Sequence, residues 1–168
     1  PFIQQEEIAK RQTDVTKVAV TLKQAREIVT QTERQLADAK KQNSKSPDKE
    51  NSAAVTKAEL ALAAAKLTLK VDKANFVRTN AELTAIKSRI HADNVRYKGG
   101  AGDPVEAGKA AAKAERQAKL ETARVELARA ERAHAPASQT GKAKAAKTAQ
   151  RVKTAAAALD KAIKELAK

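Results

Sequence analysis

Hydrophobic residues recur at a seven-residue step along the first forty positions of the chain. They are Ile8, Val15, Leu22, Val29 and Leu36, with a second line of smaller residues three positions later at Val18, Ala25 and Ala39. Two apolar positions in every seven indicate a helix that packs lengthwise against another helix. Arg11 and Thr32 interrupt this seam, and we expect them to weaken it locally and to help fix its register. The pattern predicts a helix over residues 2–42.

A polar stretch, NSKSPDKEN, ends this pattern and precedes a second one. Ser46 is predicted to cap the next helix, with Pro47 at its first position and Asp48 and Glu50 in its first turn, where the helix dipole favours acids. The seven-residue line of this helix is Val55, Leu62, Leu69, Phe76, Leu83 and Ile90. A second stripe contains Leu60, Leu67, Val71, Ala74, Ala81, Ala85 and Val95. A helix over 47–97 with two apolar stripes needs neighbours on two sides, so we predict that it is central and receives the later helices on its second stripe.

The stretch GGAGDPVEAGKA at residues 99–110 has the glycines and the lysine of a phosphate-binding loop. Its spacing is wrong for a P-loop, because five residues separate Gly102 from Gly108 and Lys109 is followed by alanine instead of Ser or Thr. A turn between helices explains it better: the glycines end one helix, Asp103 caps the next, Pro104 occupies its first position, and Glu106 completes a capping box.

Two further helices are predicted over residues 104–134 and 142–167, separated by APASQTG. The third helix carries two apolar sides, namely Ala107, Ala110, Ala114, Ala118, Val125 and Ala128, and Leu120, Ala123, Leu127 and Ala130. The fourth carries Ala145, Val152, Leu159 and Leu166, supported by Ala149, Ala156 and Ile163. Short connections favour antiparallel neighbours. The expected fold is therefore all-α, an antiparallel coiled coil or elongated bundle of about four helices forming a single domain over 1–168. Because the chain begins at Pro1, we expect it to be part of a larger protein.

Candidate catalytic and metal-binding groups are sparse. The chain has no cysteine and two histidines, His91 and His134, and neither has convergent ligands at helical spacing. Acids such as Glu115, Glu121, Glu126 and Glu131 fall among Lys and Arg at helical spacing, as in solvated ion pairs. We therefore expect no enzyme, no cofactor, no metal and no small-molecule substrate. No apolar run approaches the length of a membrane span.

The net charge of +14 makes an acidic partner possible. Five basic residues without an acid lie between residues 142 and 158, and they are candidate contacts for a polyanion: Lys142, Lys144, Lys147, Arg151 and Lys153. Such contacts would give salt-dependent, non-specific affinity for nucleic acid or anionic polysaccharide. Aromatic residues for base stacking and arginine clusters for base readout are not interleaved with them, so a solvated helix face is the alternative explanation.

The segments RIHADNVRY and AAAKAERQAKLETARVELARAE, at 89–97 and 110–131, carry a resemblance to a known family. They resemble the Ala/Lys/Arg/Glu-rich coiled-coil region of large secreted planctomycete multidomain proteins that contain a planctomycete-type cytochrome c domain. The haem-attachment motif C-x-x-C-H is absent, so no redox chemistry carries over. The resemblance implies an extracytoplasmic location and a spacer or interaction role with a protein partner or self-association. Two alternatives remain open: a polyanion-binding module, and a hairpin that docks partners at its tip near residues 43–52, like those of periplasmic adaptor proteins.

Overall fold

The computed structural model describes residues 2–137 and 142–167, and it is all-α, as predicted. Four helices follow one another along the chain: α1 (Phe2–Lys45), α2 (Lys49–Tyr97), α3 (Pro104–Ala137) and α4 (Lys142–Leu166). Each observed boundary lies within three residues of the predicted one. Because α2 contains 49 residues, it extends over about 70 Å.

Helices α1 and α2 form a long antiparallel hairpin. Four ion pairs cross between them in reverse order along the two helices: Glu7–Arg89, Arg11–Glu82, Glu33–Lys66 and Lys40–Glu59. The heptad line of α1 faces α2, and its central residues Leu22, Ala25 and Val29 are buried. Arg11, one of the two residues that interrupt this line, lies 3.3 Å from Glu82 on the opposite helix.

The start of α2 is shifted by two residues from the prediction, so that Pro47 precedes the helix and Asp48 caps it. Ser46 is not the cap, because its N–H still bonds the carbonyl of Gln42. The N-cap is Asp48, whose Oδ1 accepts from the Asn51 N–H at 2.7 Å. Proline disfavours the helical conformation in the residue before it, so the next helix starts after Pro47. Asp48 has an extended backbone and takes the capping role.

The turn between α2 and α3 follows the prediction except at Glu106. Gly99 and Gly102 have φ of +66° and +132°, a region that glycine adopts without strain. The Gly100 N–H bonds the carbonyl of Asn94, and Asp103 Oδ1 accepts from the Val105 N–H. The capping box is not formed, because the Glu106 carboxylate instead pairs with Lys109, one turn later in α3.

The four helices lie side by side as a layer. Within the described ranges, α1 packs against α2 alone, α3 packs between α2 and α4, and α4 packs against α3 alone. The prediction that α2 is central and has neighbours on two sides is confirmed, but of the later helices only α3 packs on it. Helix α3 runs antiparallel to α2, because Gly102 lies beside Val95 and Glu131 pairs with Lys70. Helix α4 runs antiparallel to α3, because Thr148 contacts His134 and the carbonyl of Glu165 contacts Arg116.

Among the side chains that the structure describes, Val125 of α3 is the most completely buried. The side of α3 toward α2 contains Ala107, Ala111 and Ala128, all buried, whereas the predicted Ala110 is exposed. The predicted end at His134 is also wrong, because α3 continues through Pro136 to Ala137. A proline in the last turn removes one hydrogen bond but leaves the preceding ladder intact. The rest of the predicted interruption, residues 138–141, lies outside the described residues.

Candidate functional site

The five candidate polyanion contacts all lie on α4 and are all exposed. The side of α4 that packs on α3 contains Thr148, which is buried and whose Oγ1 lies 2.9 Å from His134 Nδ1. Spacings of three and four residues place Lys144, Lys147 and Arg151 on one side of the helix. Lys142 and Lys153 are eleven residues apart, or three turns, and share a different side. The structure therefore brings three of the five cations together.

These five cations are not neutralised by neighbouring acids. No ion pair within residues 2–137 and 142–167 involves any of them, whereas basic residues such as Lys40, Lys66 and Arg89 on α1 and α2 pair with glutamates. Helix α4 contains seven basic residues and two acidic ones, a net charge of +5. It is therefore the most positive of the four helices in its own right.

A long groove runs along α3 beside α2 and is bounded by α4 in one part, and the sequence pattern did not predict it. One part is a cavity of about 280 Å³ lined by Ala74 and Val77 of α2, Leu127 and Ala128 of α3, and Leu159 of α4. The groove continues toward the glycine turn as a cavity of about 370 Å³, lined by Ala81, Thr84, Ser88, Ala110, Ala114 and Gln117. The residues that line the two cavities follow one another at spacings of three and four along α2 and along α3, so they share one side of each helix. The two cavities therefore form one continuous surface, which we call the α3 groove.

Cationic side chains stand along the α3 groove. Lys70, Lys73 and Arg124 line its first part, and Lys113 lines its second. Lys70 pairs with Glu131. Lys73 and Lys113 form no ion pair within the part of the chain that the structure describes. The groove thus combines a largely apolar floor with unneutralised positive charge at Lys73 on α2 and Lys113 on α3.

Glu121 lies at the floor of the α3 groove and corrects a prediction. It was expected to be a solvated surface acid, but it is 2% exposed. Its Oε1 accepts from Gln117 Nε2 at 2.7 Å and from Arg124 Nη1 at 2.9 Å. A buried carboxylate is tolerated when charged and polar donors satisfy it. Glu126 and Glu131 do form the expected ion pairs, with Arg129 and Lys70.

A polar cluster lies on α2 near its middle. Asp72 is half-buried, and this burial raises the pKa of its carboxyl, while the positive charge of Arg132 on α3 opposes the rise. Thr79 is buried and donates to the carbonyl of Asn75. Asn75 Oδ1 and Arg78 Nε are buried without a hydrogen-bond partner among the described residues, but Arg78 Nε lies 3.6 Å from Glu82 Oε1 in an ion pair. This cluster therefore carries a desolvation cost that an apolar seam would avoid.

Neither histidine belongs to a ligand cluster in the described structure. His134 is at the α3–α4 contact with Thr148, and His91 is exposed on α2. Among the described residues, no group of three or more His, Cys, Asp or Glu side chains is placed to hold a metal ion. The same residues contain no helix that is both long and apolar enough to cross a bilayer.

The fold and these surfaces define a class of structure, an all-α layer of four antiparallel helices. Comparison with protein-family models, with curated proteins and with solved structures finds no match to this chain.

Proposed function

We propose that this chain is a non-enzymatic spacer and protein-interaction module within a larger extracytoplasmic protein. The observation that carries the proposal is the layered packing, in which α1 and α4 each have a single helical neighbour within residues 2–137 and 142–167. A closed bundle turns its apolar surface inward, but a single layer keeps two broad faces accessible along its whole length. Such an arrangement suits contact with other proteins better than it suits enclosure of a substrate.

The α1–α2 hairpin supports the spacer part of this proposal. Ion pairs link the two helices from Glu7–Arg89 at one end to Lys40–Glu59 near the other. The tip is held by polar contacts, because Asn51 Nδ2 donates to the carbonyl of Ser46 and Ser52 Oγ donates to Asn43 Oδ1. Since α3 meets α2 from Val95 down to about Leu60, the first turns of α2 and the tip extend beyond the rest of the layer. The hairpin thus sets a fixed separation between its two ends.

Changing the length of this hairpin tests the proposal. Removing residues 36–42 together with 53–59 deletes seven residues from each helix, which keeps the heptad register and shortens the hairpin by about 10 Å. Duplicating the same two segments lengthens it by a similar distance. Each version would replace the native segment in the gene of the larger protein. The growth of the resulting cells would be compared with that of cells carrying the unchanged gene.

If the hairpin is a spacer, cells carrying either length variant should grow more slowly. The helicity per residue of both variants, measured by circular dichroism, should be unchanged. Exchange of the tip residues Lys45 and Lys49 for alanine serves as the control, because it leaves the length intact. If cells with either length variant grew like the parent, the spacer role would be wrong. If the tip control were impaired instead, the alternative of a partner-docking hairpin tip would be favoured.

The exposed cations of α4 support a second candidate function, binding to a polyanion. Because three cations share one side, we expect weak binding to random duplex DNA at low salt that vanishes by roughly 150–200 mM salt. Fluorescence anisotropy with a labelled duplex and with heparin as competitor would measure this. The triple variant Lys144→Glu, Lys147→Glu, Arg151→Glu should lose more affinity than the double variant Lys142→Glu, Lys153→Glu. Binding that persists at higher salt and disappears in the triple variant would make a polyanion the principal partner.

A further inference from the structure

Small side chains form much of the floor of the α3 groove over a length that fits a helix, interrupted by Glu121, whose carboxylate is bound by Gln117 and Arg124. Ala74 and Ala81 lie on α2, and Ala110, Ala114 and Ala128 lie on α3. From residue 110 to residue 128 the floor extends over about 27 Å, the length of an 18-residue helix. Small residues let helix axes approach closely, because the distance between axes is set by the side chains at the contact.

The groove also exposes apolar groups that a partner would cover. Val77 is 39% exposed at its wall, and Leu159 lies across from it on α4. Ile163, one turn beyond Leu159, is 47% exposed. A helix placed in the groove would contact α2 and α3 along its length and α4 at Leu159, and it would cover Val77 and Leu159. Burial of apolar area of this kind is the main driving force for association.

The charges around the groove select the partner. Lys73 and Lys113 form no ion pair within the described ranges, and Arg124 directs one of its donors to the buried Glu121. A second copy of this chain would bring another charge of +14 to the same place, so like charges oppose self-docking. A bare polyanion would satisfy the cations but would leave the apolar floor uncovered. An acidic helix with one apolar face matches both properties.

We propose that the α3 groove is the docking site for an acidic amphipathic helix of a partner protein. This inference rests on the proposed interaction function and names its surface and the chemistry of its partner. The apolar face of the partner would lie on the alanine floor between Val77 and Leu159. Its flanking carboxylates would face Lys73 on α2 and Lys113 on α3.

The test uses the whole chain and a synthetic probe. The probe is a capped, fluorescein-labelled 18-residue peptide with Leu and Ala on one helical face and Glu on its flanks. One control peptide has the same composition in scrambled order. A second control peptide has Lys in place of every Glu. Anisotropy at 150 mM salt should show saturable binding of the acidic amphipathic peptide and at least tenfold weaker binding of both controls.

Matched variants of the protein locate the contact. Lys73→Glu with Lys113→Glu should weaken binding of the acidic peptide at least tenfold. Lys144→Glu with Lys147→Glu changes the net charge equally on α4, away from the groove, and should change affinity less than threefold. Val77→Asp should also weaken binding at least fivefold, and because Val77 is partly exposed its effect on helicity can be checked separately by circular dichroism.

Equal weakening by the two charge pairs would overturn the proposal, because attraction would then be non-specific. Comparable binding of the scrambled peptide, no effect of Val77→Asp, or no binding at all would overturn it as well. The hairpin-length variants do not alter the groove, so impaired growth of those variants without peptide binding would leave the spacer function standing while removing this docking site.

Discussion

Among individual residues, Asp72 gives a pH-dependent prediction. Burial raises the pKa of its carboxyl above the ordinary value of 3.8, although the charge of Arg132 opposes the rise. The protonated form is therefore favoured by folding, so ionisation of Asp72 destabilises the folded state as pH rises through the raised pKa, and no penalty exists below 3.8. Asp72→Asn should raise the melting temperature at pH 7 and have little effect at pH 3.

Asp38→Asn is the control for this prediction, because Asp38 is exposed on α1 and the substitution changes the net charge equally. Thermal melts followed by circular dichroism would measure both variants. The same gain at pH 7 in both variants would mean that the net charge of the chain, and not the burial of Asp72, is responsible. A gain for Asp72→Asn that persists at pH 3 would also contradict the explanation.

The sequence pattern gave a wrong prediction of exposure where a polar side chain occupies a buried position. Glu121 has the flanking Lys and Arg residues of a surface acid, yet it follows Ala114 and Ala118 on the side of α3 that packs on α2. Its burial depends on hydrogen bonds donated by Gln117 and Arg124, and the sequence pattern does not show that these side chains reach it. A heptad line drawn through both polar and apolar residues would have flagged the position.

The helices themselves could be predicted well, because each is long, periodic and bounded by turn residues. The errors lie at their ends. Ser46 and Asp48 are both good caps, and the choice between them depends on how Pro47 restricts the chain on either side. The groove could not be predicted from the helices alone, because it is formed by residues of three helices whose alanine stripes are nearly interchangeable in sequence.

Two glycines next to and within α3 give a paired prediction at the level of this element. Gly102 has φ of +132°, so Gly102→Ala should destabilise the fold by about 1 kcal/mol or more, through backbone strain at the start of α3. Gly108 is inside the helix, and a Cβ there would meet nothing within 4 Å. Gly108→Ala should therefore stabilise it by roughly 0.5–1 kcal/mol.

Urea denaturation would measure both glycine variants, with the slope of the unfolding free energy checked against the parent chain. Opposite signs are expected for the two changes. If Gly102→Ala were neutral or stabilising, the turn between α2 and α3 would have a different backbone conformation. A destabilising Gly108→Ala would mean that the outer side of α3 is covered at that point.

For the whole molecule, the sequence predicted the central place of α2 but not the layer. Two apolar stripes on α2 require neighbours on two sides, and α1 and α3 are those neighbours. The side of α3 on which α4 packs depends on individual contacts, such as that between His134 and Thr148. The heptad pattern does not specify these contacts. An alanine-rich helix of this kind has two similar sides, so sequence alone permits both a layer and a closed bundle.

The extended shape gives the last prediction. Gln4 Oε1 and Lys98 Nζ are 3.4 Å apart at one end of the α1–α2 hairpin, whereas Lys45 lies at the other end. Spin labels at residues 4 and 98 should therefore be close. Labels at residues 45 and 98 should be about 70 Å apart, the length of α2 by its rise per residue. Double electron–electron resonance on deuterated protein would measure the long distance, and continuous-wave line broadening would measure the short one. A distance between residues 45 and 98 below about 35 Å, half the helix length, would mean that α2 is broken, and the spacer function would fail with it.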